Sequence, residues 1–247
     1  MRFQDRTALI TGAASGIGLL AAQRLAAEGA RVLLTDVHAE AVTAAAKAIR
    51  QQGGEALCMA VDVREYAQVA AAVGRVVETW GGLDILLPCA GGDSGRIWQC
   101  TEPWHRRDLE VIDWGLDVNL RGVLYCCHAA LGQMIERGRG VIVTMGSVSG
   151  MVGTPTLDYG AAKSAMVGLT KSLALAGAPH GVRAVCVTPG PVLTRPAMAK
   201  MKTPTGRAAE TREVVDLILY LCSDQAAFIT GSNYVIDGGR SEERRVG

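Results

Sequence analysis

Tyr159 and Lys163 stand four residues apart in "TPTLDYGAAKSAM" (154–166), with only glycine and alanines between them. On a helix the phenol and the ammonium share one face, a turn apart. Such a pair can handle a proton. A free phenol titrates near ~10, and bringing one to about neutrality takes about three pKa units, or ~4 kcal/mol. An ammonium ~4 Å away at an effective dielectric of ~20 supplies about that much. Gly160, Ala161 and Ala162 would leave room for ligands against the helix. The competing reading, a chance polar pair on an exposed helix, has to be overturned by the rest of the chain.

A second stretch could hold phosphates. In "ITGAASGIG" (10–18), Gly12, Gly16 and Gly18 lie where a short apolar run passes into a helical pattern, with GxxxGxG spacing. Glycines there allow a sharp turn, close approach of a pyrophosphate and packing of the helix on a sheet. The N–H groups at the helix start then face the ligand. Asp36 ends the next apolar run, where a carboxylate can accept hydrogen bonds from both hydroxyls of an adenosine ribose. It would repel a 2′-phosphate, and "DVHAE" brings no Arg or Lys to neutralise one. NAD(H) is therefore expected over NADP(H). Asp62 is equally placed to meet the adenine edge or to cap a strand end.

These residues need elements to position them. Short apolar runs alternate with helical ones: "TALIT" (7–11), a helix from 16 to 28, "RVLLTD" (31–36), a helix over 39–53, "ALCMAVDV" (56–63) and a helix to Trp80. The series continues with "LDILLPCAG" (83–91), a helix through 119–136, "GVIVTMGS" (140–147), a helix carrying Tyr159 and Lys163 to about Ala178, "VRAVCVTPG" (182–190), a helix near 211–223 and "NYVID" (233–237). Strands apolar on both faces, each followed by a helix, indicate an α/β fold with a parallel sheet covered on both sides. Right-handed crossovers make it doubly wound. No linker or second compositional regime interrupts residues 1–239, which reads as one domain.

"TGAASGIG", Asn119 in "LDVNLRG", Ser147 in "TMGSVSG", "YGAAK" and "TPGPVLT" follow one another in the order of the motifs of the short-chain dehydrogenase/reductase family, which the chain resembles from about residue 5 to 239. The resemblance implies a Rossmann-type sheet of seven strands, a nicotinamide cofactor and hydride transfer between an alcohol and a carbonyl. It implies a catalytic group on Asn119, Ser147, Tyr159 and Lys163. Ser147 would hydrogen-bond the substrate oxygen; Asn119 would hold a water that passes protons to Lys163, or else serve as a helix-cap amide. Lys163 would also hold the nicotinamide ribose. Cofactor contacts are expected from Gly12, Ser15, Gly16, Ile17 and Gly18, from Asp36, Asp62 and Val63, from Ala90 and Gly91, and from Tyr159, Lys163, Pro189, Gly190, Val192 and Thr194. One departure stands out. The family has Asn-Asn-Ala-Gly after the fourth strand, where this chain has Pro88-Cys89-Ala90-Gly91, so the bracing those amides give must be lost or replaced. Cys89 itself reads as buried filler rather than a nucleophile.

The stretch between Gly91 and Asn119 is longer than the resemblance leads one to expect and holds Trp98, Trp104 and Trp114 with His105-Arg106-Arg107. Lying at the carboxyl edge of the sheet, it could wall the substrate, with Trp98 or Trp104 on an apolar face; equally, Trp104 and Trp114 could staple a surface helix to the core. The segment after Pro189, which usually closes over substrate in the family, is short and carries Pro191, Pro196 and Pro204.

Composition narrows the alternatives. Hydrophobic residues make up 49% of the 247 and aromatics 4%, which fits a core of Ala, Val, Leu and Ile; the net charge of +1 argues against a nucleic-acid surface. Seven scattered cysteines without CxxC and four histidines without HxxxH or HExxH predict no structural metal and a reduced, cytoplasmic chain. Neither a signal segment nor a membrane span of about 18 apolar residues is expected. The helices at 119–136 and 160–178 are apolar or small around most of their circumference, which predicts a homo-oligomer, a tetramer or a dimer. "RSEERRVG" (240–247) reads as a polar tail, either an ordinary one or a non-native one. Two rivals remain beside an NAD(H)-dependent alcohol dehydrogenase. One is an NADP(H)-dependent 3-oxoacyl-thioester reductase. The other is a nucleotide-binding regulatory protein without turnover, against which both Tyr159 and Lys163 stand. An acyl-transfer role for Ser147 would want GxSxG and a partnered histidine, which "MGSVS" does not offer.

Overall fold

The computed structural model describes residues 1–242; the last part of the polar tail, 243–247, lies outside the described residues. The chain forms β1 (Thr7–Thr11), α1 (Gly16–Ala27), β2 (Arg31–Asp36), α2 (Ala39–Gln51), β3 (Glu55–Ala60), α3 (Tyr66–Trp80) and β4 (Ile85–Pro88). There follow α4 (Ser94–Ile97), α5 (Leu109–Leu116), α6 (Gly122–Glu136), β5 (Gly140–Met145), α7 (Leu157–Gly177), β6 (Val182–Pro189), α8 (Thr211–Cys222) and β7 (Asn233–Ile236). The strands make one seven-stranded sheet in the order β3-β2-β1-β4-β5-β6-β7, every pairing parallel. This is the doubly wound, Rossmann-type α/β fold that the alternation of apolar runs calls for.

Alternation along each strand divides the core in two. Ala8, Ile10, Leu34 and Leu87 face α1, α2 and α8, where Leu25, Val42, Ile49 and Ile218 meet them. Leu9, Leu33, Leu86 and Ile142 face α3, α6 and α7, packing with Val73, Val76, Met134 and Met166. Each such side chain fully withdrawn from water contributes about 1.5–3 kcal/mol. Buried Asp84 pins the other end of the central pair: it accepts the Thr7 N–H at 2.9 Å and pairs with Arg139 Nε at 2.7 Å.

The strand order reverses between β1 and β4, so a crevice opens beyond their carboxyl ends. There the elements depart from the sequence expectations. β4 ends at Pro88 and β3 at Ala60, both shorter than the apolar runs that announce them. Pro88 lacks an N–H, and the ladder between β4 and β5 stops at Leu86, whereas β4 follows β1 through Pro88 itself. The bracing expected of side-chain amides after β4 is supplied from β1 instead: Thr11 Oγ1 accepts the Ala90 N–H at 3.1 Å. The stretch between β4 and α6 holds α4, a 3-10 turn at Trp104–Arg106 and α5, and then a single π-helical turn, Asp117–Arg121, that leads into α6. At the other end Arg240–Glu242 form a 3-10 turn, and the Ser241 N–H donates to Asp237 at 2.6 Å. The start of the tail thus turns back onto Asp237, just after β7.

Candidate active site

The glycine-rich turn between β1 and α1 is built by backbone needs. Gly12 (φ +63°) sits so near the chain after β4 that a β-carbon would stand 2.7 Å from the Ala90 nitrogen. A β-carbon on Gly18 would stand 2.5 Å from the Gly12 carbonyl oxygen, so glycine lets the first turn of α1 close onto the loop. Ser15 occupies the cap position of α1 yet makes no side-chain capping bond, which leaves the helix-start amides facing the crevice. Ile17 packs on the core beneath them. Asp36 reaches into the same turn, accepting the Ala14 N–H at 3.1 Å, and its other oxygen takes the His38 N–H and ring. Glycines that a side chain would fill, open amides and a carboxylate at the strand end together fit a dinucleotide.

Not every expected cofactor residue is free for the task. The Asp62 carboxylate takes three donors from Arg64, its backbone N–H, Nε and Nη2, and the Arg64 side chain foremost holds its carboxyl below the usual range. The capping alternative describes it better than contact with adenine. Val63 is buried with its side chain against Gly122, at the start of α6. Pro189 ends β6, and Gly190 lies so close to Asp237 that a β-carbon would stand 2.7 Å from its Cα. Val192 is buried and bridges to Ala209, while the Thr194 methyl faces Gly16 across the crevice, 3.4 Å from where a β-carbon would be.

Tyr159 and Lys163 lie in the first two turns of α7, and the Lys163 ammonium stands 5.6 Å from the centre of the Tyr159 ring. Lys163 is only 6% exposed; its Nζ donates to the Met145 carbonyl at 3.0 Å, and no carboxylate pairs with it among the described residues. The Tyr159 hydroxyl makes no hydrogen bond among the described residues. Ser147 begins the 3-10 turn after β5, and its Oγ accepts the Ser149 N–H at 3.2 Å, so the hydroxyl proton remains to be donated. Asn119 is buried in the π-helical turn, and its amide is committed: Nδ2 donates to the Gly92 and Gly115 carbonyls at 2.8 Å each, while Oδ1 accepts the Gly92 N–H at 2.9 Å. A side chain so spent brackets the loop after β4, and a water relay cannot run through its Nδ2.

One expectation needs correcting. Gly160 and Ala162 do not clear space for ligands. A β-carbon on Gly160 would stand 2.6 Å from the Thr154 methyl and 3.0 Å from the Ser149 carbonyl, and Ala162 is fully buried; the chain between β5 and α7 fills that room, and only Ala161 is exposed. Trp114 packs on the α6 side of the core, whereas Trp98 and Trp104 remain 42% and 36% exposed. Cys89 behaves as filler: burial pushes its thiol up to about 12, although the nearby Lys163 charge works the other way. Sequence reasoning missed Asp158. It is buried, accepts the Ser94 hydroxyl at 2.5 Å and leaves Oδ1 without a partner. Only its place beside Tyr159 hints at that role. Ala90 and Gly91 line the loop beneath, where a β-carbon on Gly91 would crowd Asn119 at 2.6 Å and come within 3.6 Å of Lys163 Nζ.

Among the described residues no cluster of His, Cys, Asp or Glu could hold a metal, and no helix is long and apolar enough to cross a membrane. Residues 12–241 match the family model described as Enoyl-(Acyl carrier protein) reductase. The chain is 37% identical to a cis-4-hydroxycyclohexanecarboxylate dehydrogenase of Sinomonas cyclohexanicum over 96% of this chain and 97% of that protein. It is 36% identical to a cyclohexanol dehydrogenase of Acinetobacter sp. (strain SE19), over 96% and 95%. Among solved structures, levodione reductase superposes with a TM-score of 0.91 at 32% identity, covering 98% of this chain and all 100% of that one. A short-chain type dehydrogenase/reductase from Mycobacterium marinum gives 0.89 at 34%, covering 97% and 96%.

Proposed function

The chain belongs to the short-chain dehydrogenase/reductase family, and from that premise we propose that it moves hydride between a secondary alcohol and its ketone, with NAD(H) as cofactor and Tyr159 as general acid and base. The family makes it an oxidoreductase of CH–OH groups that uses a nicotinamide cofactor. The observation that supports the rest is a buried ammonium without a counter-charge, 5.6 Å from a phenol ring whose hydroxyl is uncommitted.

The glycine turn and the open start of α1 would hold the pyrophosphate, and Asp36 the adenosine ribose. Bound there, the nicotinamide would supply or take up the hydride. In reduction, Ser147 Oγ and Tyr159 Oη donate to the carbonyl oxygen, and the Tyr159 proton passes to it as charge develops. The Lys163 charge favours the phenolate left behind. In oxidation the same oxygen takes the proton back. Asn119 keeps Gly92, and with it the loop beside Lys163, in place.

Relatives named for a hydroxycyclohexanecarboxylate and for cyclohexanol support a ring-borne secondary alcohol as the substrate. Trp98 and Trp104 remain our candidates for an apolar wall over it. Asp36 speaks against the NADP(H)-dependent thioester reductase. We read the chain as a homo-oligomer, a tetramer or a dimer, from apolar side chains left in water on α6 and α7.

The test is NADH absorbance with a panel of cyclic and linear ketones and alcohols, run on the protein and on Tyr159→Phe. Positioned acid–base groups contribute about 10²–10⁴-fold, so the variant should fall below about one hundredth of the parent rate while still binding NADH. Higher residual turnover removes Tyr159 from the mechanism, and NADH binding without turnover of any panel member supports a regulatory protein instead.

A further inference from the structure

The path of a dinucleotide can be followed across the sheet. The glycine turn follows β1, Asp36 ends β2, and Asp62 stands just beyond the end of β3, where the Val61 N–H donates to the Asp36 carbonyl at 3.0 Å. These strands are consecutive neighbours in the sheet. Neighbouring strands lie about 4.8 Å apart, close to the step from a ribose to its base. A dinucleotide with its pyrophosphate on the glycine turn and its ribose at Asp36 would therefore set its purine beside residues 62–64.

The carboxylate that would read that purine is already spent. Asp62 Oδ1 accepts the Arg64 backbone N–H and Nε at 3.0 Å each, and Oδ2 accepts Nε at 3.0 Å and Nη2 at 2.6 Å. Each oxygen thus carries two donors, as many as it has lone pairs. The turn around the pair is closed as well. The Asp62 N–H donates to Gln68 Oε1 at 2.9 Å, and the Asp62 carbonyl accepts the Glu65 N–H at 3.0 Å. The Arg64 side chain foremost holds the Asp62 carboxyl below its usual range, and the same bond foremost raises the guanidinium, with help from the Asp117 and Glu65 charges. A single-contact surface pair is readily given up, whereas a bidentate one backed by a backbone N–H is held at several points. What this strand end offers to a ligand is the guanidinium. The Arg64 side chain is 39% exposed against 22% for Asp62, and Arg64 Nη1 makes no hydrogen bond among the described residues.

That exchange inverts the chemistry of base selection. Adenine presents a 6-amino donor beside the N7 acceptor, whereas a 6-oxopurine presents two acceptors, O6 and N7. A free carboxylate selects the amino group. A guanidinium matches the two acceptors and has no acceptor for the amine. Its plane can stack on either base.

We propose that Arg64, rather than Asp62, meets the purine of the cofactor, so that the site does not select adenine by its 6-amino group and takes the hypoxanthine dinucleotide equally well. The proposal rests on the reading that a nicotinamide dinucleotide lies along this edge of the sheet. It makes Arg64 the residue that sets base specificity and leaves Asp62 to hold it in place.

The probes are NADH and reduced nicotinamide hypoxanthine dinucleotide. Both fluoresce from the same nicotinamide, so their Kd values are titrated side by side with no alcohol or ketone present, and calorimetry gives a second reading. The hypoxanthine form should bind no more than about fivefold more weakly than NADH. Arg64→Ala frees the carboxylate, and the ratio of the two Kd values should then shift at least tenfold toward NADH, roughly what one hydrogen bond to a charged acceptor contributes. Arg64→Gln should shift it in the same direction, since glutamine pairs with the N6 and N7 edge of adenine, and it stands in if melting shows the alanine variant unfolded. A parent protein that binds NADH more than about fivefold tighter overturns the proposal, because the carboxylate has then left Arg64 for the amine. A shift of less than tenfold in the folded variant overturns it too, because the base then does not sense Arg64. Failure of both dinucleotides to bind the parent protein removes the dinucleotide reading itself, and the proposal with it.

Discussion

Asp36, the residue we propose for the cofactor's ribose, is tied to the glycine turn. One carboxylate oxygen holds the Ala14 N–H, inside the loop that would face the pyrophosphate, and the other holds His38. With that side chain only 11% exposed, a 2′-phosphate would have to approach a nearly buried negative charge. The protein should therefore show a higher kcat/KM with NAD(H) than with NADP(H). Asp36→Ala combined with Val37→Arg should diminish or reverse the preference, because Val37 is exposed beside it and an arginine there can meet a phosphate. Steady-state kinetics with both cofactors check this, and equal use of the two by the parent protein refutes it. Residues of this kind were legible beforehand because their spacing is local. Gly12, Gly16 and Gly18 fall within one turn, and Tyr159 and Lys163 within one helix. Asp158 was not legible in this way, since only the packing of α4 and α5 against the start of α7 brings it to Ser94 and Gly115.

α4 and α5, within the stretch between Gly91 and Asn119, decide how α7 is seated. Gly115 of α5 faces Asp158 so closely that a β-carbon would overlap its carboxylate. That carboxylate already accepts the Ser94 hydroxyl, so three segments meet at one buried acid. Gly115→Ala should cost about 1–3 kcal/mol, as overpacking does. For a chain of this size each kcal/mol lowers Tm by about 2–4 °C. The displaced α7 should also lower turnover, through the placement of Tyr159, with NADH affinity retained. Calorimetric melting and steady-state rates check it, and an unchanged Tm would mean that α5 can slide without disturbing α7. The period of apolar residues announced the seven strands, because burial on both faces leaves uninterrupted apolar runs. It could not announce where β3 and β4 stop. Those ends are set by Asp62 turning onto Arg64 and by Pro88 withholding an N–H from β5.

At the scale of the molecule, the outer face of α7 presents Ala161, Ser164, Gly168, Ser172 and Leu175 to water, with Leu175 81% exposed, and α6 adds Leu124. Small side chains punctuated by leucine let a second helix approach closely. Light scattering at micromolar concentration should give a tetramer or a dimer, and Leu175→Glu should reduce that mass; a monomeric parent would leave the apolar face without a use. A last consequence follows from Thr194, whose methyl faces Gly16 across the crevice, 3.4 Å from where a β-carbon would be. A dinucleotide held by the glycine turn would pass close to this methyl, so the segment after β6 borders its way out. We expect departure of spent cofactor past that segment to be the slow event of a catalytic cycle. Thr194→Gly should then release NADH faster in stopped-flow displacement, and the cofactor should bind first and leave last whichever alcohol is being turned over.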